Sequence, residues 1–155
     1  MKHLTAAAFA CLAGAASAQQ TGITIGMQLE PPHLDPTSAA AAAIDEVVYA
    51  NVYEGLTRFG PDGSVLPGLA ESWEIADDGL SYDFHLRQGV LFHNGDELMA
   101  DDVVASLERW AAIGPKGAAL KDLDRFEIVD DYTVTMHFNL TVGRFLLLAL
   151  GSDEN

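Results

Sequence analysis

The sequence is short of cysteine and short of positive charge, and each shortage narrows what the protein can do. Cys11 is the only cysteine. It falls inside a stretch that reads as a cleaved leader, so the mature chain has no thiol for a disulfide, a Cys-type zinc site or a nucleophile. Eight Lys and Arg stand against 23 Asp and Glu, a formal net charge of −15. That balance argues against a nucleic-acid partner, because phosphate binding needs a basic face. It also disfavours tight docking on an anionic membrane surface. The chain has no His-Glu-x-x-His pair and no Gly-x-Ser-x-Gly elbow, so neither the zincin nor the serine-hydrolase pattern is met. We see no internal repeat, and we assign no catalytic residue, metal-ligand set or cofactor.

What is present begins with the amino terminus. Lys2 and His3 precede an apolar, alanine-rich run that ends in Ala16-Ser17-Ala18. This reads as a secretory signal peptide over residues 1–18, cleaved after Ala18, and it is too short for a membrane span. Lipidation at Cys11 is the rival reading. The residues three and two before it, Ala8 and Phe9, fit a lipobox poorly. The 155 residues are 49% hydrophobic, enough for about one packed domain.

Periodicity gives the elements. Thr21–Met27 is a β-branched run bounded by glycines and predicts a strand. Leu29–Pro36 holds three prolines, which remove ladder donors and predict a rigid loop. Ser38 is the expected cap of a helix running to about Gly55. Phe59–Val65 reads as a tight turn with Gly63 at positive φ. Trp73 and Ile75, then Tyr82, Phe84 and Leu86, alternate with polar residues on either side of Asp77-Asp78-Gly79, which predicts a hairpin with one buried face. Asp83 and His85 then face outward. Val90 and Phe92 continue the apolar face and leave His93 beside the Asn94-Gly95 turn. Asp101–Trp110 reads as a helix with the stripe Val103, Val104, Leu107 and Trp110; its leading aspartates and Arg109 near its end suit the helix dipole. A second hairpin turns at Asp130-Asp131, with Tyr132, Val134, Met136 and Phe138 on one face. Val142–Leu150 would be apolar almost all round as a helix and needs cover on several sides. We therefore expect a continuation that is missing here.

These residues carry a resemblance. A strand leading into Leu34-Asp35-Pro36, a helix running into NVYEGLTRF, and the block LPGLAESWEIADDGLSYDFHLRQGVLFHNGDELMADDVVASLERW occur in the order seen in extracytoplasmic solute-binding proteins of family 5, the dipeptide, oligopeptide and nickel class. The similarity runs from about Ile23 to Phe138 and is most specific over Leu69–Trp110. It implies an α+β, type II periplasmic-binding-protein-like fold in which residues 19–37 give the first strand and cleft loop of the main lobe. Residues 38–155 would give a truncated small α+β subdomain. It implies a periplasmic binding protein without enzymatic activity that serves the membrane permease and ATPase subunits of an ABC importer. The solute would be a peptide foremost, with nickel complexes, glutathione, opines and oligosaccharides as alternatives. One departure is Met99, where the family commonly has Thr or Ser as a helix cap; losing that acceptor costs about 1 kcal/mol, partly offset by Asp101 and Asp102.

Site residues carry over thinly. The resemblance places Glu30, Pro31 and Pro32 on the cleft wall, where the Glu30 carboxylate would meet a peptide ammonium through a charge-assisted hydrogen bond. Lone loop acids are commonly just solvated. His33 is a further candidate contact. Trp73 reads as a core aromatic. A metal at His93 and Asp96 would require more ligands converging on one point. A secreted hydrolase and a structural or interaction domain docking through its apolar carboxy-terminal stretch are the competing readings. Alone, one wall of a cleft is expected to bind no ligand measurably.

Overall fold

The computed structural model describes residues 22–38, 41–49, 51–114, 117–141 and 151–152. The expected leader with Cys11, and the apolar stretch 142–150, lie outside these residues. The described elements are α1 (Ala42–Val48), β1 (Thr57–Phe59), β2 (Val65–Pro67), β3 (Ala70–Ile75), β4 (Ser81–Leu86), α2 (Ala100–Ile113), a 3-10 turn at Gly117–Leu120, β5 (Leu123–Asp130), β6 (Thr133–Phe138) and β7 (Gly151–Ser152).

The main body is a four-stranded antiparallel sheet in the order β3-β4-β6-β5, with α2 against one face. Both hairpins form where the alternation predicts them. In the first, Trp73 faces Phe84 and Ile75 faces Tyr82 across the ladder. Asp78 Oδ1 accepts the Leu80 N–H at 2.9 Å, and Gly79 takes φ 69°, a conformation that suits glycine. In the second hairpin β5 and β6 turn through Asp131 and Tyr132. Tyr82, Phe84, Leu86, Val134, Met136 and Phe138 are buried on the helix-facing side. The Tyr82 ring meets Phe138 edge-on, with centroids 5.6 Å apart. Burying one such aromatic side chain contributes on the order of 1.5–3 kcal/mol.

Two of the expected inward residues are not buried. Ile75 is 49% exposed and Phe92 43% exposed. Ile75 ends an edge strand and is not among the residues packed against the core. Phe92 sits in the 91–97 turn, where the ladder is reduced to a single bridge between Leu91 and Glu97. Trp73 and Val90, by contrast, pack against the core.

Helix α2 is longer than the predicted Asp101–Trp110. Val103 is buried and Val104, Leu107 and Trp110 pack on the sheet, so the apolar stripe stands. Its amino-terminal end is half a capping box. The Asp102 carboxylate accepts the Met99 N–H at 3.0 Å, while Met99 has no oxygen to return the bond. The Asp102 N–H is taken by Asp101 Oδ1 at 3.0 Å.

The amino-terminal third departs most from expectation. Over residues 22–27 no strand forms, and every residue from 22 to 30 is exposed, Ile23 to 86% and Ile25 to 75%. A strand exists only through a neighbour that takes up its N–H and C=O groups, and none of the described strands lies beside this segment. Helix α1 is also shorter than predicted. Ala41, not Ser38, precedes it, and Tyr49 is already extended at ψ 137°. Val47, Val48 and Tyr49 are weak helix formers, and burial of Ile44 and Val48 fixes the turn they occupy. Beyond it, the N–H groups of Val52 and Tyr53 both donate to the Val48 carbonyl at 2.9 Å. The Phe59–Val65 turn forms as predicted, with Gly63 at φ 78° joining β1 and β2. Strand β7 runs parallel to β1 and completes a second, three-stranded sheet.

Candidate functional site

The predicted cleft residues lie on the segment that enters the folded body. Glu30 and Pro32 are exposed and Pro31 is half-buried. Successive prolines hold φ near −65° and stiffen the approach to His33. Among the described residues, no hydrogen bond or ion pair engages the Glu30 carboxylate. A rigid loop thus presents a carboxylate to its surroundings with its acceptor oxygens unused.

Beyond Pro32 the chain enters a polar knot centred on Asp35. Its Oδ1 accepts both the Thr37 N–H at 2.9 Å and the Thr37 hydroxyl at 2.6 Å. This is an Asx turn, and Pro36 inside it presets the bend. The Asp35 N–H points to His33 Nδ1 at 3.3 Å, and the Ser38 hydroxyl lies 3.3 Å from His33 Nε2. Oδ2 accepts from the Arg109 guanidinium on α2 at 2.8 Å, across 74 residues of sequence. The Thr37 hydroxyl foremost, then the Thr37 N–H, then Arg109, hold the Asp35 carboxyl down at about 2. The sequence assigns Arg109 to the helix dipole, but α2 continues to Ile113; its guanidinium reaches outward to the loop instead.

A groove of about 460 Å³ opens between residues 51–56, the 90–93 turn and α2. Val52, Leu56, Val90, Val103 and Leu107 line it, with Ser106 and Asp102 on the helix side. His93 stands at its rim, its Nε2 3.3 Å from the Val52 carbonyl. Asp96 does not turn toward His93; its Oδ2 accepts from the Asn94 amide at 2.7 Å. Among the described residues no three His, Cys, Asp or Glu side chains are grouped to hold a metal ion.

The remaining polar groups belong to the scaffold. On the sheet face away from α2, the Thr135 hydroxyl donates to Asp83 Oδ1 at 2.7 Å and His137 meets Glu127 at 2.9 Å. Here His85, opposite Ser72 and Thr133, is half-buried rather than fully outward. A latch joins the 87–98 loop to the second hairpin. Glu97 Oε1 accepts the Gly89 N–H and the Tyr132 hydroxyl, each at 2.8 Å. The Gly89 bond, then the Tyr132 bond, lowers the Glu97 carboxyl below its usual range, while Glu97 raises the Tyr132 phenol.

Sequence reasoning misses Asp35, Arg109, Glu97 and Tyr132 as partners. The Asp-Pro-Thr triplet is an Asx-turn signal that could have marked Asp35. Nothing in the local pattern marks the other three.

In sequence and in fold the chain is similar to proteins already described. The family model for bacterial extracellular solute-binding proteins, family 5, middle region, matches residues 64–152. Di/tripeptide-binding protein 4 of Pseudomonas aeruginosa is 32% identical over 94% of this chain, which covers 31% of that protein. Among solved structures, NikZ of Campylobacter jejuni in complex with Ni(L-His) is 33% identical, with a TM-score of 0.64 over 80% of this chain and 25% of its own. OppA of Haemophilus influenzae in complex with RPPGFSPFR is 28% identical, with a TM-score of 0.70 over 78% and 27%. The expected α+β, type II periplasmic-binding-protein-like class is the one these structures share. The chain spans less than a third of the length of each of these relatives. By sequence and by fold, the chain belongs to the family 5 bacterial extracellular solute-binding proteins.

Proposed function

We propose that the chain supplies the first cleft loop and the small α+β subdomain of a periplasmic receptor for peptides. In this reading residues 1–18 are the export leader, and residues 19–37 give the cleft loop and, once paired with a strand of the main lobe, its first strand. Residues 38–155 form the subdomain. The receptor hands its solute to the permease and ATPase subunits of an ABC importer and performs no reaction. Glu30, Pro31 and Pro32 line the cleft, and the Glu30 carboxylate receives the peptide ammonium.

One observation carries this reading. A proline-stiffened loop with an uncommitted carboxylate is docked on the sheet-and-helix body that matches the family. Peptide is preferred among solutes because the matched relatives include one named for di- and tripeptides and one solved with a nonapeptide. An anionic loop side chain also suits a ligand that carries an ammonium.

A chimera tests the assignment. Residues 19–141 replace the matching segment of the Pseudomonas di/tripeptide-binding relative, and dipeptide binding is followed by calorimetry. The folded chimera is expected to bind dipeptides, and Glu30→Gln is expected to weaken that binding by roughly tenfold or more, the worth of one hydrogen bond to a charged group. A folded chimera that releases no heat with dipeptides overturns the receptor reading. Unchanged affinity in Glu30→Gln removes Glu30 from the cleft.

A further inference from the structure

The segment 22–38 has few means of holding a position. Residues 22–30 are exposed throughout, and α1 begins only at Ala42. Yet Asp35 spends both oxygens, one inside its own turn and one on Arg109 of α2. The division of labour between the two oxygens is informative. Oδ1 shapes the loop locally, bonding only to Thr37 two residues on. Oδ2 has no local use, and it connects the loop to a helix whose opposite face is packed on the sheet. Arg109 sits on the exposed side of α2, away from Val103 and Leu107, so its aliphatic stem is not required to fill the core.

We infer that Asp35 and Arg109 are positioning residues: their ion pair fixes the height and angle of the Glu30–Pro32 loop against α2, so that the subdomain sets the cleft wall. This rests on the proposed role of Glu30–Pro32 in binding. Neither residue needs to touch the ligand. Between Asp35 and Pro32 stand only His33 and Leu34, and the His33 ring is itself held to the knot by Ser38 and the Asp35 N–H. A displacement at Asp35 is therefore passed to Pro32 with little slack. The pair is a surface one, with side-chain exposures of 56% and 38%, so it tunes placement rather than global stability.

The test is a double-mutant cycle read by hydrogen exchange of the Thr37 amide, with amides of α2 as the internal control. Asp35→Asn keeps an oxygen for the Asx turn and removes the charge. Arg109→Gln removes the partner, and Arg109→Lys restores a cation. Each of Asp35→Asn and Arg109→Gln is expected to speed Thr37 exchange about two- to fivefold, the range for an exposed pair. The double variant should be no faster than either, Arg109→Lys should recover part of the protection, and α2 should not change. Additive effects, or Thr37 exchange indifferent to Arg109, overturn the inference. In the chimera, Arg109→Gln should lower dipeptide affinity while leaving the ligand-free melting temperature in place. The two readings fail separately. If Glu30→Gln weakens binding but Arg109→Gln leaves Thr37 unmoved, only the tether is wrong. If the exchange cycle holds but Glu30→Gln is silent, only the cleft assignment is wrong.

Discussion

Around Phe84, order comes from exclusion of water. The ring is fully buried between α2 and the strands, with Met136 and Val134 beside it. Around Asp35, order comes from four polar atoms within hydrogen-bond reach of one exposed carboxylate and its backbone N–H. The first arrangement is cooperative, because removing any member leaves a void that its neighbours feel. The second is a set of directional bonds in contact with solvent, each modest and each open to competition from water. A body built the first way can serve as a reference frame, and a loop held the second way can be adjusted one bond at a time without disturbing that frame.

The largest break in this contrast should come from Phe84→Ala. Truncation inside a closed core costs about 3–5 kcal/mol, and urea unfolding should show the sheet and α2 losing stability together. A loss below about 1 kcal/mol, or one confined to β4, would mean the core is looser than the burial of Phe84 implies. A smaller effect is expected from Gly79→Ala. The glycine has φ 69°, and an added Cβ would lie 2.9 Å from Thr141 Cγ2. A left-handed alanine costs about 1–2 kcal/mol, and the same unfolding curve should shift by that amount with its slope unchanged.

The smallest effect is set by acid and should touch only the loop. Asp35 is depressed from its ordinary 3.8 to about 2 in the folded chain. A carboxyl lowered on folding adds its full share of stability above its ordinary value and loses it as pH falls toward the folded one. The Asp35 share should therefore be intact above about pH 5, fall as pH drops through about 4 to 2, and be gone only below the folded value. In an NMR titration, the Thr37 amide should show a midpoint of about 2, and Arg109→Gln should move that midpoint upward. A midpoint at the ordinary 3.8 in the unaltered chain would deny the knot.

The same contrast explains what can be read from the chain alone. Tyr82, Phe84 and Leu86, and likewise Val134, Met136 and Phe138, announce their face by a period of two. Val103, Leu107 and Trp110 announce theirs by helical spacing. Burial is a property shared by many residues at once, so it leaves a repeating trace. The pairing of Asp35 with Arg109 involves one residue from each of two distant places and leaves none. Glu97 and Tyr132 are hidden for the same reason. The helical pattern overreaches at α1 because alanines and the spacing of Ile44 with Val48 favour helix, whereas tertiary fit ends it at Tyr49. The strand expected at the amino terminus has the right alternation, Ile23, Ile25 and Met27, but alternation specifies a face and cannot supply the neighbour.

Strand order has a kinetic consequence. β4 and β6 lie side by side, Ser81 opposite His137, although α2 and β5 come between them along the chain. The β3–β4 hairpin is local and can close within microseconds, but the second edge of β4 must wait for β6 before its ladder is complete. Synthesis delivers β6 last of the four, so a nascent chain halted between Leu86 and Thr133 carries β4 with one edge of its backbone unpaired, available to whatever binds unfinished polypeptides.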